Sequence, residues 1–210
     1  IGKRPILWHI MKNYAHFGHQ DFVLALGYRG AMIKNYFCHY ELMNNDVTIE
    51  LGKPENVCIH QNHEEAGWKI TLADTGETTM TGGRLKRVRA HLGNDDAFCF
   101  TYGDGVGDVN IGASINYHKS HGKLATLTAA APPGRFGALG IEDGRITRFT
   151  EKPVGDGAFI NGGFFILSPG VLDYLEDDST VWEQQPLMRL AEDGQLMACE
   201  HTGYWQCMDT

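Results

Sequence analysis

The stretch Ala97-Phe98-Cys99-Phe100-Thr101-Tyr102-Gly103-Asp104-Gly105-Val106-Gly107-Asp108 changes character halfway along. Its first six residues, dense in aromatic side chains, read as a buried strand over 97–102. The remainder is a glycine-rich turn carrying an acid. In open α/β sheets, ligands collect at the carboxyl ends of strands, and glycines there let a large ligand come close to the backbone. A carboxylate in that place suits Mg²⁺, which takes one or two carboxylates together with substrate phosphates. Asp104 has that chemistry, although on this motif alone a turn aspartate capping the next element explains it equally well. The glycines run G-x-G-x-G rather than the dinucleotide G-x-G-x-x-G, and the acids are too few for an EF-hand loop.

Upstream of that stretch, Ile6, Leu7, Ile10 and Met11 follow Pro5 with helical spacing, and Gly18 fits a helix stop. Phe22-Val23-Leu24-Ala25-Leu26 reads as a strand buried on both faces. Ile33, Tyr36, Phe37 and Tyr40 mark a helix, strands are predicted at 46–51 and 68–73, and another helix over 84–92. Downstream come a helix near 111–120 and a strand near 124–130. Leu139-Gly140-Ile141 and Arg145-Ile146-Thr147-Arg148-Phe149 then flank an Asp143-Gly144 turn, the pattern of a hairpin. Phe164-Phe165-Ile166-Leu167 is another buried strand, followed by helices near 170–176 and 182–193 and a strand near 195–200. Strands alternating with helices imply an α/β fold with a mainly parallel sheet covered on both faces, to which the hairpin adds antiparallel pairing. With no repeat, low-complexity tract or linker, residues 1–210 read as one domain.

Composition narrows the function. A formal net charge of -8 argues against a nucleic-acid or anionic-membrane binder. No apolar run approaches the ~18 residues of a membrane helix. Five cysteines without a C-x-x-C pair read as reduced, mostly buried thiols of a cytoplasmic protein. The chain opens Ile1-Gly2-Lys3-Arg4-Pro5 without an initiator methionine, so a missing start is expected.

Other motifs can supply partners to Asp104. Asp209 is the natural second carboxylate, though an acid next to the last residue reads by itself as a solvated terminus. In Glu151-Lys152-Pro153 the lysine offers a compact positive charge to a phosphate and the glutamate an acceptor for sugar hydroxyls; an edge-strand ion pair is the plainer reading. Thr81-Gly82-Gly83-Arg84 approaches a basic helix whose first amides favour anions, with Arg84 adding a bidentate contact. A glycine turn before a solvated basic face fits it as well, and the Walker spacing is absent. Asn161-Gly162-Gly163 sets an amide side chain beside open backbone. His60-Gln61-Asn62-His63-Glu64 matches no zinc-protease motif and reads as a polar loop.

Taken in order, these pieces resemble the sugar nucleotidylyltransferase family along essentially the whole chain. The resemblance runs through Pro5 to Met11, Asp74-Thr75-Gly76, Met80 to Arg87, Thr101 to Gly105, Pro132 to Leu139, Glu151-Lys152-Pro153, Ile160 to Phe165, Trp182-Glu183-Gln184 and Met208-Asp209-Thr210. It implies a Rossmann-like, mixed α/β nucleotidyltransferase fold. It also implies transfer of a cytidylyl group from CTP to α-D-glucose 1-phosphate, for CDP-sugar biosynthesis, by a homo-oligomer. By position, Asp104 and Asp209 match the family's Mg²⁺ carboxylates. Thr79, Arg84 and Gly103 match nucleotide contacts; Gly137, Glu151, Lys152, Asn161 and Gly162 match sugar-phosphate contacts, with Lys152 and Arg84 the catalytic cations. The family's glycine-rich N-terminal signature lies upstream of Ile1, so an interior strand and triphosphate loop, and helices after Asp209, are expected to be missing from these residues. Rival readings are a metal-dependent glycosyltransferase, for which Asp104-Gly105-Val106 lacks the usual Asp-x-Asp pair, and a non-catalytic sugar-nucleotide-binding protein.

Overall fold

Pro5 presets the backbone for the first helix, α1 (Ile6–His16), whose Ile10, Met11 and Tyr14 form one buried stripe. The helix stops where Gly18 takes a left-handed φ of 87°, a conformation that favours glycine. A computed structural model describes residues 2–53, 56–60, 63–132, 138–142, 145–150 and 159–208, with the backbone alone across 138–142 and 147–150.

After α1 the order is β1 (Asp21–Leu26), α2 (Gly30–Cys38), α3 (Tyr40–Asn44), β2 (Val47–Ile49), β3 (Val57–Ile59) and β4 (Lys69–Asp74). Then come α4 (Thr81–Arg87), continued by a 3₁₀ turn over Val88–His91, β5 (Phe98–Thr101), β6 (Gly105–Gly107), α5 (Ile111–His121) and β7 (Ala125–Ala130). The hairpin β8 (Ala138–Glu142) and β9 (Arg145–Thr150) follows, then β10 (Ile160–Leu167) and a 3₁₀ turn over Pro169–Tyr174. Last are α6 (Gln185–Glu192), β11 (Leu196–His201) and β12 (Trp205–Cys207).

The central sheet has the order β11-β7-β10-β5. β11 runs parallel to β7, whereas β10 runs antiparallel to both β7 and β5. β1 and β4 form a parallel pair of their own, in register from Asp21↔Lys69 to Leu26↔Asp74. The expected mixed α/β class is therefore present, with β10 as the reversed strand. Along β10 successive side chains alternate faces. Phe164 joins Ile10, Tyr14, Val109 and Ile111 in one core beneath α1 and α5. Phe165 joins Leu85, Trp182 and Leu190 in the other, beneath α4 and α6. Phe165 and Trp182 are almost wholly buried, so truncating either to alanine costs about 3–5 kcal/mol.

Several local expectations need correction. The stretch 22–26 is a strand, but only Leu26 is buried; a continuous apolar run does not distinguish burial on one face from burial on two. The helix expected over 33–40 is two, broken at His39. The turn 105–107 is a short strand, paired antiparallel with β12. The cysteines are free as expected but less buried: Cys38 and Cys58 are exposed, and Cys99, Cys199 and Cys207 partly so. Burial nevertheless pushes the Cys99 thiol up to about 12. Among the described residues no helix is long and apolar enough to cross a membrane.

Candidate active site

β5 delivers Asp104 to the carboxyl end of the central sheet. Tyr102 N–H donates to Gly163 O (3.2 Å), so the strand stays attached to β10 up to the turn. Gly103 is exposed, and a Cβ built on it would meet nothing within 4 Å, which leaves the approach to the backbone open. β6 starts at the next glycine and pairs with β12, Gly105 opposite Cys207. One step further, Met208 N–H donates to Asp104 O (2.9 Å). The pairing of β6 with β12 thus carries the end of the described chain to Asp104. Asp209, the expected second carboxylate, lies outside the described residues.

β10 shapes the other wall. Its register with β7 slips between Asn161 and Phe165. Within that bulge Gly163 has φ 76°, and a Cβ there would sit 2.7 Å from the Tyr102 ring, so the position requires glycine. Gly162 is wedged, its Cβ position 2.8 Å from Thr128 O, and its carbonyl accepts from Trp205 Nε1 (2.8 Å). The bulge aims Asn161 at the turn. Asn161 Oδ1 accepts from Gly163 N–H (2.9 Å), and Asn161 Nδ2 donates to the Tyr102 hydroxyl (3.2 Å), leaving a second Nδ2 hydrogen for a ligand. The β5 turn with Gly103 and Asp104 and the β10 bulge with Asn161 and Gly162 therefore adjoin each other.

Thr79 and Arg84 sit apart from these, at the ends of the separate pair β1–β4. Arg84 Nη1 donates to Thr75 Oγ1 and Gly76 O (both 2.8 Å), and its Nη2 to Glu77 O (3.2 Å). Gly27 makes room for it, since a Cβ there would overlap the guanidinium. Thr75 is itself tied to the end of β1 through Leu26 O (2.8 Å). Thr79 is buried between Gly76 and Gly83. At the start of α4 three amides are bonded within the chain, which favours the glycine-turn reading over the anion-binding one. Met80 N–H donates to Asp178 O (2.8 Å), and Gly82 and Gly83 N–H both donate to Thr180 O (2.9 and 3.2 Å). The loop around Asp178–Thr180 docks on this helix end and uses its donors. Gly137, Glu151 and Lys152 lie outside the described residues.

Two residues that sequence reasoning did not single out belong to the site. The Tyr102 hydroxyl is half-buried, and burial raises its pKa; the facing Glu183 carboxylate and the Asp104 charge push it the same way, against the lowering effect of Asn161. Glu183 Oε2 also accepts from Thr81 Oγ1 (2.6 Å) at the first residue of α4. The only sequence signal for either was its place beside Gly103-Asp104 or Trp182.

Asp104 fits a magnesium ion by donor chemistry: it is an exposed hard carboxylate beside an open backbone, matching an ion that binds one or two carboxylates and completes its shell with phosphates and water. Among the described residues no group of three or more His, Cys, Asp or Glu can hold a metal by itself. A single exposed carboxylate of this kind suits an ion that arrives with its substrate.

The chain matches the nucleotidyl transferase family over residues 1–207. The chain belongs to that family. It is 56% identical over 210 residues to the glucose-1-phosphate cytidylyltransferases of Salmonella typhi and Salmonella typhimurium, covering 100% of this chain and 81% of each relative. Among solved structures, HddC from Yersinia pseudotuberculosis complexed with GMP-PN superposes with a TM-score of 0.64 at 17% identity, over 98% of this chain and 80% of that one, which bears on the fold alone.

Proposed function

We propose that the protein transfers a cytidylyl group from CTP to α-D-glucose 1-phosphate, releasing pyrophosphate and forming CDP-glucose. The observation that carries the reading is the open Asp104 turn, set at the sheet's carboxyl edge in a chain 56% identical throughout to glucose-1-phosphate cytidylyltransferases. The sugar phosphate is already an anionic nucleophile and attacks the α-phosphorus in line, so no general base is required. What the protein contributes is placement and charge. Asp104, with Asp209 as the second carboxylate, would hold Mg²⁺, which when bound neutralises charge on the nucleotide phosphates. Arg84 would leave the oxygens of Thr75, Gly76 and Glu77 for the nucleotide, near Thr79 and Gly103. Lys152 would hold the incoming phosphate, while Gly137, Glu151, Asn161 and Gly162 would supply the sugar contacts.

Three further points belong to this reading. The pair β1–β4 and the central sheet share one core through Ala73 and Val23 but are not hydrogen-bonded to each other among the described residues. That gap supports an interior strand contributed from outside the sequence given. Exposed Met43, Ile49 and Leu51 around the β2–β3 hairpin support a homo-oligomer, and the free cysteines support a reducing, cytoplasmic setting.

The test mixes the protein with Mg²⁺, glucose 1-phosphate and each of CTP, UTP, dTTP, ATP and GTP, and follows pyrophosphate release and the nucleotide-sugar formed. CTP is expected to outpace the others by about tenfold or more, a difference of about 1.4 kcal/mol at the transition state. Preference for another base overturns the cytidylyl assignment, and absence of pyrophosphate release with all five overturns the reaction.

A further inference from the structure

β1 ends in a turn that is tied down at both ends and open in the middle. Gly30 N–H donates to Gly27 O (2.8 Å), closing Gly27-Tyr28-Arg29-Gly30. Gly27 lies against the Arg84 guanidinium, which leaves no room for a Cβ. Gly30 is buried, and a Cβ added to it would stand 3.0 Å from Leu26 Cβ. Tyr28 and Arg29 are the two residues turned outward. At 69% exposure, Tyr28 is the most exposed Phe, Tyr or Trp among the described residues. Arg29 has φ 55°, the only positive φ outside glycine among them. It holds the third place of a closed turn, which glycine or asparagine takes when φ is positive. Its guanidinium carbon lies 5.3 Å from the centre of the Tyr28 ring, within reach of a cation–π contact. An exposed ring by itself means little. This one stands at the carboxyl end of a strand, where ligands of α/β sheets gather, and it follows directly on the glycine that packs against Arg84. Thr75 N–H and Thr75 Oγ1 both donate to Leu26 O (2.8 Å each), so the turn after β1 is joined to the Thr75–Glu77 turn that Arg84 holds.

We propose that Tyr28 is a stacking platform for the base of the nucleotide, held in place by Arg29. The inference deepens the nucleotide reading given above and rests on Arg84 belonging to the nucleotide's side of the site. Every base has a π-face, so stacking on such a ring strengthens binding without choosing between bases. The choice falls to hydrogen-bonding groups, which in this corner are the Arg84 guanidinium and the oxygens of Thr75, Gly76 and Glu77. The platform also gives the Arg29 backbone a use. A left-handed φ costs stability in a residue that carries a Cβ, and what that cost retains here is a guanidinium beside the ring.

The test measures turnover and binding separately, with whichever nucleotide the wild-type protein prefers, so that an error in the assigned base leaves it intact. Tyr28→Ala is expected to raise the nucleotide KM, and the nucleotide Kd from equilibrium dialysis, about five- to a hundredfold. The sugar-phosphate KM, and the Kd of inorganic triphosphate, which has no base, are expected to stay within about twofold. Tyr28→Phe keeps the ring and is expected to stay within about twofold of wild type, whereas Tyr28→Leu, which keeps bulk without a π-face, should resemble the alanine variant. The losses in Tyr28→Ala for CTP and for UTP should agree within about threefold, leaving base preference in place. Arg29→Gly, which suits a left-handed φ, is expected to keep or raise the thermal midpoint while the nucleotide KM rises about two- to fivefold. An unchanged nucleotide KM in Tyr28→Ala overturns the platform. So does an equal loss of triphosphate affinity, which would set the ring against the phosphates, or a raised sugar-phosphate KM with normal nucleotide KM. A wild-type protein that binds no nucleotide overturns the underlying nucleotide reading as well, and the wild type alone reveals that case.

Discussion

Two glycine-rich segments follow strands of different sheets, Thr81-Gly82-Gly83-Arg84 after β4 and Tyr102-Gly103-Asp104-Gly105 after β5, and the structure gives them opposite tasks. Gly82 and Gly83 are small because protein fills the space: a Cβ on Gly83 would lie 2.7 Å from Asp178 Cα, and one on Gly82 would lie 2.9 Å from Thr180 O. Their amides are bonded to the same loop. Gly103 borders open space. A glycine run at a strand end or helix start therefore carries two meanings, close packing of the chain on itself or room for a ligand, and only the three-dimensional neighbours separate them.

The sharpest way to test that contrast is Asp104→Asn, which removes charge from the open turn without changing its shape. Turnover is expected to fall on the order of a hundred- to a thousandfold, with the thermal midpoint unchanged; a stability loss without an activity loss would place Asp104 among the structural residues. On the packed side, Gly83→Ala is expected to lower unfolding free energy by about 1–3 kcal/mol in urea titrations. The obstruction includes backbone atoms of Asp178, which cannot rotate aside. Unchanged stability would mean that the loop around Asp178–Thr180 is not docked as described.

What the sequence made legible follows the same division between local and distant causes. The two faces of β10 are encoded locally: Phe164 and Phe165 are adjacent, and a period of two sends them to separate cores. The Asp143-Gly144 signal foretold the β8–β9 hairpin, whose strands pair from Ala138↔Thr150 to Glu142↔Arg145. Gly105-Val106-Gly107 has no intrinsic strand preference, and it becomes β6 only because Trp205-Gln206-Cys207 pairs with it from far along the chain. For the same reason Asp104 was legible as a candidate ligand, whereas the Thr81–Glu183 link was not. One depends on a residue and its neighbours, the other on two segments that meet only in the fold.

A proton titration probes the central sheet, to which the Asp104 segment belongs and the α4 segment does not. His118 Nδ1 and His121 Nε2 both meet Thr126 Oγ1 (2.8 Å each), and His118 Nε2 meets Ser168 Oγ (3.0 Å). Lys123 N–H donates to His121 Nδ1 (2.9 Å), so that nitrogen is an acceptor and Nε2 carries the proton. Burial lowers the pKa of His118, with His121 adding to the effect; burial and Lys123 lower that of His121. The folded state thus binds these protons less readily than the unfolded chain, whose histidines titrate near ~6.5. Stability from the pair is full above that value and is lost as pH falls from it through the lowered folded values. The thermal midpoint is expected to drop between about pH 7.5 and pH 5, and a His118→Asn variant to show a shallower drop. Equal slopes for the two proteins would remove the histidine pair as the cause.

The smallest expected change in stability is at Gly103→Ala, and it bears most directly on the contrast between the two glycine segments. Gly103 does not have a left-handed φ, and its Cβ position is empty, so the folded state accepts a methyl group without strain. Restricting the unfolded chain favours the variant slightly, and the net change in unfolding free energy should stay within about 0.5 kcal/mol. Ligand approach is a different matter, because the methyl would stand where the nucleotide is proposed to reach the backbone. The nucleotide KM is therefore expected to rise by about tenfold or more, equivalent to the ~1–3 kcal/mol of an overpacked contact. A destabilised variant with normal nucleotide KM would reverse the assignment, making Gly103 a packing glycine like Gly83 and leaving Asp104 at the end of a turn that no ligand approaches.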